Sequence, residues 1–313
     1  MTKANMEGEW HMGKLFNRLI NGNPDKKDFT KADLPDNRFE QFFDVIKIRF
    51  TGLLTVNLLY VLFLLPILIF GMWVFFIGLP EMGEIKGWSD QEHMEEFFAY
   101  LNSFLMICVP LYTIAGPARA GMYYVLRNWS WGEHAQARDF WVEFKRSWKT
   151  AALYNFLSSL LIYACYFWSY NAFVAQSAMP TAVRYILAAV VAILLIVYLM
   201  MDLYVYPLMV TYKLSFRQLL KNALLIALAQ VPQAVACILC VGAAVILTAL
   251  LWQVMAVVAL LIGFVLVALA KMLLANSSFD RFNKQLTGGT APVRRGLAPK
   301  KDKLGRVIKS GKE

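Results

Sequence analysis

The sequence predicts an all-α membrane protein, a polytopic bundle of six transmembrane helices with both termini cytoplasmic and amphipathic helices in the inner interface. Three observations lead there. The 313 residues are 59% hydrophobic and only 17% charged, against about 45–50% and 25% in ordinary soluble domains. No charge falls between Phe50 and Glu81, between Thr150 and Arg184, or between Lys221 and Lys271. Finally, 29 of the 31 Lys and Arg lie on one side of the alternation that such stretches define. A helix crossing a ~30 Å hydrocarbon core takes about 20 residues, so each gap holds at least one span. Barrel strands would alternate apolar and polar residues. These stretches are apolar throughout, and only helices satisfy such a backbone in lipid.

In chain order, residues 1–51 form a cytoplasmic segment whose end, Arg38–Phe50, reads as an interfacial helix. Phe39, Phe42, Phe43, Ile46 and Phe50 fall on one face at helical spacing, away from Arg38, Glu40, Asp44 and Lys47. Its apolar stretch starts too late for a cleaved signal peptide. The membrane domain covers 52–275. Span one runs over 52–79, with Pro66 and Gly71 inside it. Glu81, Glu84, Asp90, Glu92, Glu95 and Glu96 make 81–96 an acidic outer connection. Span two covers 97–118 and is expected to end at Gly116-Pro117. A cytoplasmic loop at 119–150 follows, in which Phe140, Trp141, Phe144 and Trp148 form a stripe beside Arg138, Lys145, Arg146 and Lys149. Spans three and four cover 152–174 and 184–210. The 49 uncharged residues after Lys221 are too many for one span, so they divide into 223–249 and 254–275, with a hairpin at Trp252-Gln253. A basic tail, 276–313, reads as disordered.

Basic residues concentrate in cytoplasmic loops. Segments 1–51, 118–150, 211–221 and 271–313 hold all Lys and Arg except Lys86 and Arg184. Six spans with both ends inside follow, and the formal charge of +10 is explained as topology. In the tail, Arg294, Arg295, Lys300 and Lys301 are candidate contacts to anionic lipid. No aromatic residues or folded module accompany those charges, so no nucleic-acid partner is expected.

Asp202 is the acid nearest a span interior, where a carboxylate is costly and a functional candidate by default. Tyr198, Tyr204 and Tyr206 on its own span and Asn57 on the first are its candidate partners in an intramembrane polar site. Arg119 is expected first to snorkel, with capping of helix carbonyls, contact with lipid phosphate or pairing with Asp202 as alternatives, and Lys271 to snorkel. Cys237 and Cys240 share a helix face in an apolar setting without His, Lys or Arg to stabilise a thiolate. They read as packing residues, and no disulfide is expected. His11, His93 and His134 lie in separate polar segments. No phosphate-binding, dinucleotide or nucleophile-elbow motif occurs. The chain is expected to be no enzyme, with no cofactor and no metal.

Three stretches carry a family likeness: GKLFNRLINGNPD with FFDVIKIRFTGLLTVNLLYVLFLLPILIFG, then GPARAGMYYVLRNWSWGEHAQARDFWVEFKRSWKTA, then YVYPLMVTYKLSFRQLLKNALLIALAQVP. In this order they resemble the YesL-like integral membrane family, built on a domain of unknown function, over most of residues 13–285. The acidic connection 81–96 looks longer than the family pattern and the basic tail an addition. The family pattern falls on Gly116, Pro117, Arg127, Asn128, Asp139, Phe140, Phe144, Pro207 and Asn222. The resemblance implies a six-span protein of bacterial cytoplasmic membranes, associated with carbohydrate uptake or use, and brings no catalytic residues. The leading expectation is a non-enzymatic accessory or regulatory partner of carbohydrate transporter subunits. Its cytoplasmic docking surface would comprise Arg127, Asn128, Phe140, Trp141, Phe144 and Trp148. The alternative is an autonomous small-solute transporter or channel with its polar site around Asp202. Membrane lipids are the other expected partner, and the sequence sets no oligomeric state.

Overall fold

The structure, a computed structural model, describes residues 38–74, 91–173, 180–251 and 256–286. All secondary structure among them is helical: α1 (Arg38–Trp73), α2 (Gln91–Ser130), α3 (Ala137–Phe173), α4 (Thr181–Thr211), α5 (Phe216–Ala229), α6 (Val231–Leu250), a π-helical segment (Ala259–Gly263) and α7 (Phe264–Leu286). Five helices are long and apolar enough to cross a membrane, or six if α5 and α6 together make one broken span. Their outward surfaces are studded with large apolar side chains such as Ile69, Tyr185, Ile186 and Leu239. In water such a surface would aggregate; against lipid it is the ordinary condition of a spanning helix.

Helix α2 is the hub and packs against α1, α3, α4 and α7. Its centre is made of small residues. Ala115, Ala118 and Ala120 are fully buried, and a Cβ at Gly116 or Gly121 would sit 2.5 Å from the Ala151 carbonyl oxygen or 2.7 Å from that of Phe140. The backbones of α2 and α3 therefore touch, the packing that lipid-embedded helices use when dispersion must do what the hydrophobic effect does in water. The helix runs on through Gly116-Pro117, where a break was expected. Pro110 and Pro117 both lie inside an unbroken α2. Neighbouring helices re-satisfy backbone near such prolines, and here the Asn155 amide donates to the Tyr112 carbonyl at 3.0 Å.

Residues 119–150 comprise the end of α2, a turn at 131–136 and the first turns of α3, so the Phe140, Trp141, Phe144 and Trp148 stripe stands on a helix. The stop signal of α2 is Gly132, whose φ of 68° suits a residue without a Cβ. Around it Glu133 N–H reaches the Asn128 carbonyl and Gly132 N–H the Trp129 carbonyl, closing a Schellman turn. Helix α3 then starts with the Asp139 carboxylate accepting from Gln136 N–H at 2.8 Å, one arm of a capping box.

The amphipathic Arg38–Phe50 segment is continuous with α1 apart from non-helical dihedrals at Arg49. The face it buries is Gln41 and Val45, with Phe42 and Ile46 partly covered; Phe39, Phe43 and Phe50 point outward. The fifth predicted span, 223–249, is not one straight helix. It starts earlier, at Phe216 behind a Ser215–Gln218 capping box, and bends by 91° at Gln230. The hairpin at Trp252-Gln253, the end of span one beyond residue 74, the acidic connection to residue 90, and the segments before 38 and after 286 lie outside the described residues.

Candidate functional site

Asp202 lies on α4 where that helix meets α2, α3 and α7, and it is 6% exposed. A lone carboxylate there would cost several kcal/mol in lost hydration. Its Oδ2 accepts from Arg119 Nη2 of α2 at 3.0 Å and from Lys271 Nζ of α7 at 2.7 Å. Oδ1 accepts from the Tyr154 hydroxyl of α3 at 3.0 Å. One acid thus joins four helices, with two cations set against a single negative charge. Lys271, expected only to snorkel, is a full partner in this cluster. Its sequence signal was a lone charge ending a very long neutral run. Tyr154 had no signal of its own, because only the packing of α3 against α4 brings it near.

The aromatic shelf beneath Arg119 is equally specific. Its guanidinium lies 4.5 Å from the centre of the Tyr206 ring, a cation–π contact. Tyr206 stacks on Tyr123 with centroids 5.5 Å apart, meets Tyr154 edge-on at 5.6 Å and donates its hydroxyl to Asn155 Oδ1 at 2.6 Å. Asp202 and Tyr206 are four residues apart, one helix face. Tyr204 points elsewhere: its hydroxyl lies 3.4 Å from Ser278 Oγ, which is also 2.6 Å from Gln230 Oε1 at the α5–α6 bend.

Asn57, also expected in the polar site, makes its hydrogen bonds elsewhere. Its amide donates to the Leu260 carbonyl at 2.8 Å, and its Oδ1 accepts from Val265 N–H at 2.9 Å. Those groups border the π-helical turn Ala259–Gly263, where the regular i to i−4 ladder is interrupted. Asn57 therefore supplies the backbone partners that a π turn in lipid would otherwise lack.

The predicted docking surface divides in two. Phe140 and Asn128 are buried, and Arg127 is engaged, donating to the Val210 carbonyl at the end of α4 and to Asn128 Oδ1 while lying between the Tyr124 and Trp131 rings. Phe144 is half-buried, and it and Trp141 pack against Phe63 of α1. Trp148 is 53% and Trp141 37% exposed, and Arg138, Lys145, Arg146 and Lys149 are exposed with them. Behind this face Glu143 is buried, accepting from Ser147 and paired with Arg146 at 3.5 Å. Sequence reading missed Glu143 because its neighbours look like an ordinary charged helix surface. The tail residues Arg294, Arg295, Lys300 and Lys301 lie outside the described residues.

Above the ion cluster is a cavity of about 360 Å³ between α1, α2 and α7, into which Arg119 and Lys271 project. Among the described residues no three His, Cys, Asp or Glu side chains are placed to hold a metal. Cys108 and Cys165 are free thiols.

The family model described as "Protein of unknown function, DUF624" matches residues 98–172. That stretch takes in most of α2 and nearly all of α3, and with them Arg119, Tyr154, Asn155 and the Gly132 turn. No curated protein and no solved structure matches the chain.

Proposed function

We propose that this protein is a non-enzymatic subunit of a bacterial cytoplasmic membrane, of YesL-like kind, that accompanies a carbohydrate uptake system, with both termini on the cytoplasmic side. The observation that carries this reading is the start of α3. Arg138, Trp141, Lys145 and Trp148 follow one another at helical spacing on an outward face, with Lys149 beside Trp148. The residues behind that face are locked: Phe140 and Glu143 are buried, and Gly132 and Asp139 fix the turn that presents the helix. A rigid aromatic and basic platform suits protein contact, where Trp and Arg carry much of the binding energy. The basic residues near it support a cytoplasmic position by the positive-inside rule.

Transport through Asp202, the other expectation, has less to stand on. That carboxylate is committed to Arg119, Lys271 and Tyr154, and carrying a proton or cation would require it to leave all three.

The test is affinity purification of the full chain from native membranes in a mild neutral detergent. Subunits of a sugar permease should co-purify, and a Trp141→Glu, Trp148→Glu double variant should lose them while remaining folded. Recovery of the chain alone from intact membranes overturns the reading.

A further inference from the structure

The cavity over the ion cluster has a chemistry of its own. Its volume of about 360 Å³ falls within the ~300–1,000 Å³ of ordinary small-molecule sites. Leu64 and Leu68 of α1 and Phe264 and Val267 of α7 make its walls apolar. At one end stand Arg119 and Lys271, with the Tyr112 hydroxyl 3.5 Å from Arg119 Nη1. No acid lines it. Asp202 faces the two cations from the other side and cancels one of them, so the cavity looks onto a net single positive charge. Both cations have several N–H donors, and the carboxylate engages only part of that capacity.

The geometry points to a binding site for an amphipathic monoanion, a carboxylate or phosphate head on a single alkyl chain. The head would be held at Arg119 and Lys271, and the chain would lie along Leu64, Leu68 and Phe264 and leave past Val267, which is 40% exposed. A free fatty carboxylate and a membrane-lipid phosphate share this chemistry. A hydrated inorganic anion does not fit, because it would be stripped of water against leucine and phenylalanine. A sugar fits less well, since beyond Arg119, Lys271 and the tyrosines Tyr60, Tyr112 and Tyr123 its hydroxyls would face aliphatic and phenylalanine side chains. The site therefore goes beyond the accessory role proposed above and stands without it.

The experiment uses the full chain in neutral detergent and hexadecanoic acid bearing a photoreactive diazirine on its tail. Cross-links are expected in the α1 peptide around Leu64–Leu68 and the α7 peptide around Phe264–Val267. Excess hexadecanoate or lysophosphatidate should abolish them, and which competes at lower concentration identifies a free acid or a lipid as the natural source. Hexadecanol and inorganic phosphate should not compete. Val267→Trp at the mouth and Ala268→Trp in the wall should each lower labelling by about tenfold, the loss of one order in affinity. The variant that keeps the wild-type melting temperature decides the matter. Competition by hexadecanol shows an apolar crevice indifferent to charge and overturns the proposal. So does displacement by inorganic phosphate, or labelling that a folded variant leaves unchanged.

Discussion

Asp202 shows how charge number, beyond charge presence, sets the cost of a buried cluster. Two cations and one anion leave a residual positive charge, and the two partners are not equivalent to removal. Lys271→Met leaves Arg119 and Asp202 as a neutral pair, still braced by Tyr154. Asp202→Asn leaves Arg119 and Lys271 repelling each other with no counter-charge. Stranding a buried charge costs about 3–5 kcal/mol. The expected order of melting temperatures in detergent is therefore wild type, then Lys271→Met, then Asp202→Asn well below both. An Asp202→Asn protein as stable as Lys271→Met would mean that the carboxylate is not the centre of the cluster. The pairing of Asp202 with Arg119 was legible in the sequence only as an alternative behind snorkelling, because an Arg near a helix end has water and lipid phosphate as competing partners. The roles of Tyr154 and Asn57 were not. Each is one polar residue in an apolar run, and its partner lies on a helix distant in sequence: Tyr154 on Asp202 of α4, Asn57 on the π turn before α7.

At the scale of the helix, the hairpin of α2 and α3 depends on the absence of side chains. Gly116 and Gly121 let two backbones approach until a methyl group would collide with carbonyl oxygens of Ala151 and Phe140. Gly71 is a natural control, since a Cβ there would meet only Phe104 Cζ at 3.9 Å. Gly116→Ala and Gly121→Ala should each destabilise the protein by about 1–3 kcal/mol, the range for overpacking a tight interface. Gly71→Ala should lie within about 0.5 kcal/mol of wild type. Chemical unfolding in mixed micelles measures all three. Equal effects at the three glycines would remove close backbone approach as the explanation. The same residues explain where the element boundaries were misread. A Gly-Pro pair signals a helix stop in water, but between lipid-embedded helices small residues signal contact. The true stop, Gly132, sits at the end of WSWG, among residues whose polarity made them look like loop already.

For the molecule as a whole, topology turns on the bend at Gln230. Among the described residues, six candidate spans with an even number of crossings follow if α5 and α6 together cross the bilayer, and five, an odd number, if they do not. The basic residues argue for six. In a background with Cys108, Cys165, Cys237 and Cys240 replaced, cysteines introduced at Lys47 and Lys309 should react with a membrane-impermeant maleimide only after permeabilisation, and one at Arg184 in intact cells. Labelling of Lys47→Cys and Lys309→Cys from opposite sides would make the bent pair a re-entrant segment. The helical class and the approximate places of the apolar helices could be read from composition and charge gaps alone, because both are properties of local sequence. The bend could not, since Gln230 is held by Ser278 of α7, a contact that no local pattern announces.

The order of the three clustered charges along the chain also bears on how the protein is made. Synthesis delivers Arg119 first, Asp202 second and Lys271 last. A solitary buried ion among apolar helices costs several kcal/mol. At every stage of sequential insertion, then, no more than one of these charges waits without a partner: Arg119 until α4 arrives, and afterwards only the surplus that α7 introduces. A nascent chain halted near residue 251 already holds a neutral pair and should stay in the membrane. One halted near residue 179 carries an orphaned arginine and should be the more readily extracted or degraded. An order with both cations preceding the acid would expose two such charges together, and the alternation of sign serves biogenesis before it serves the finished fold.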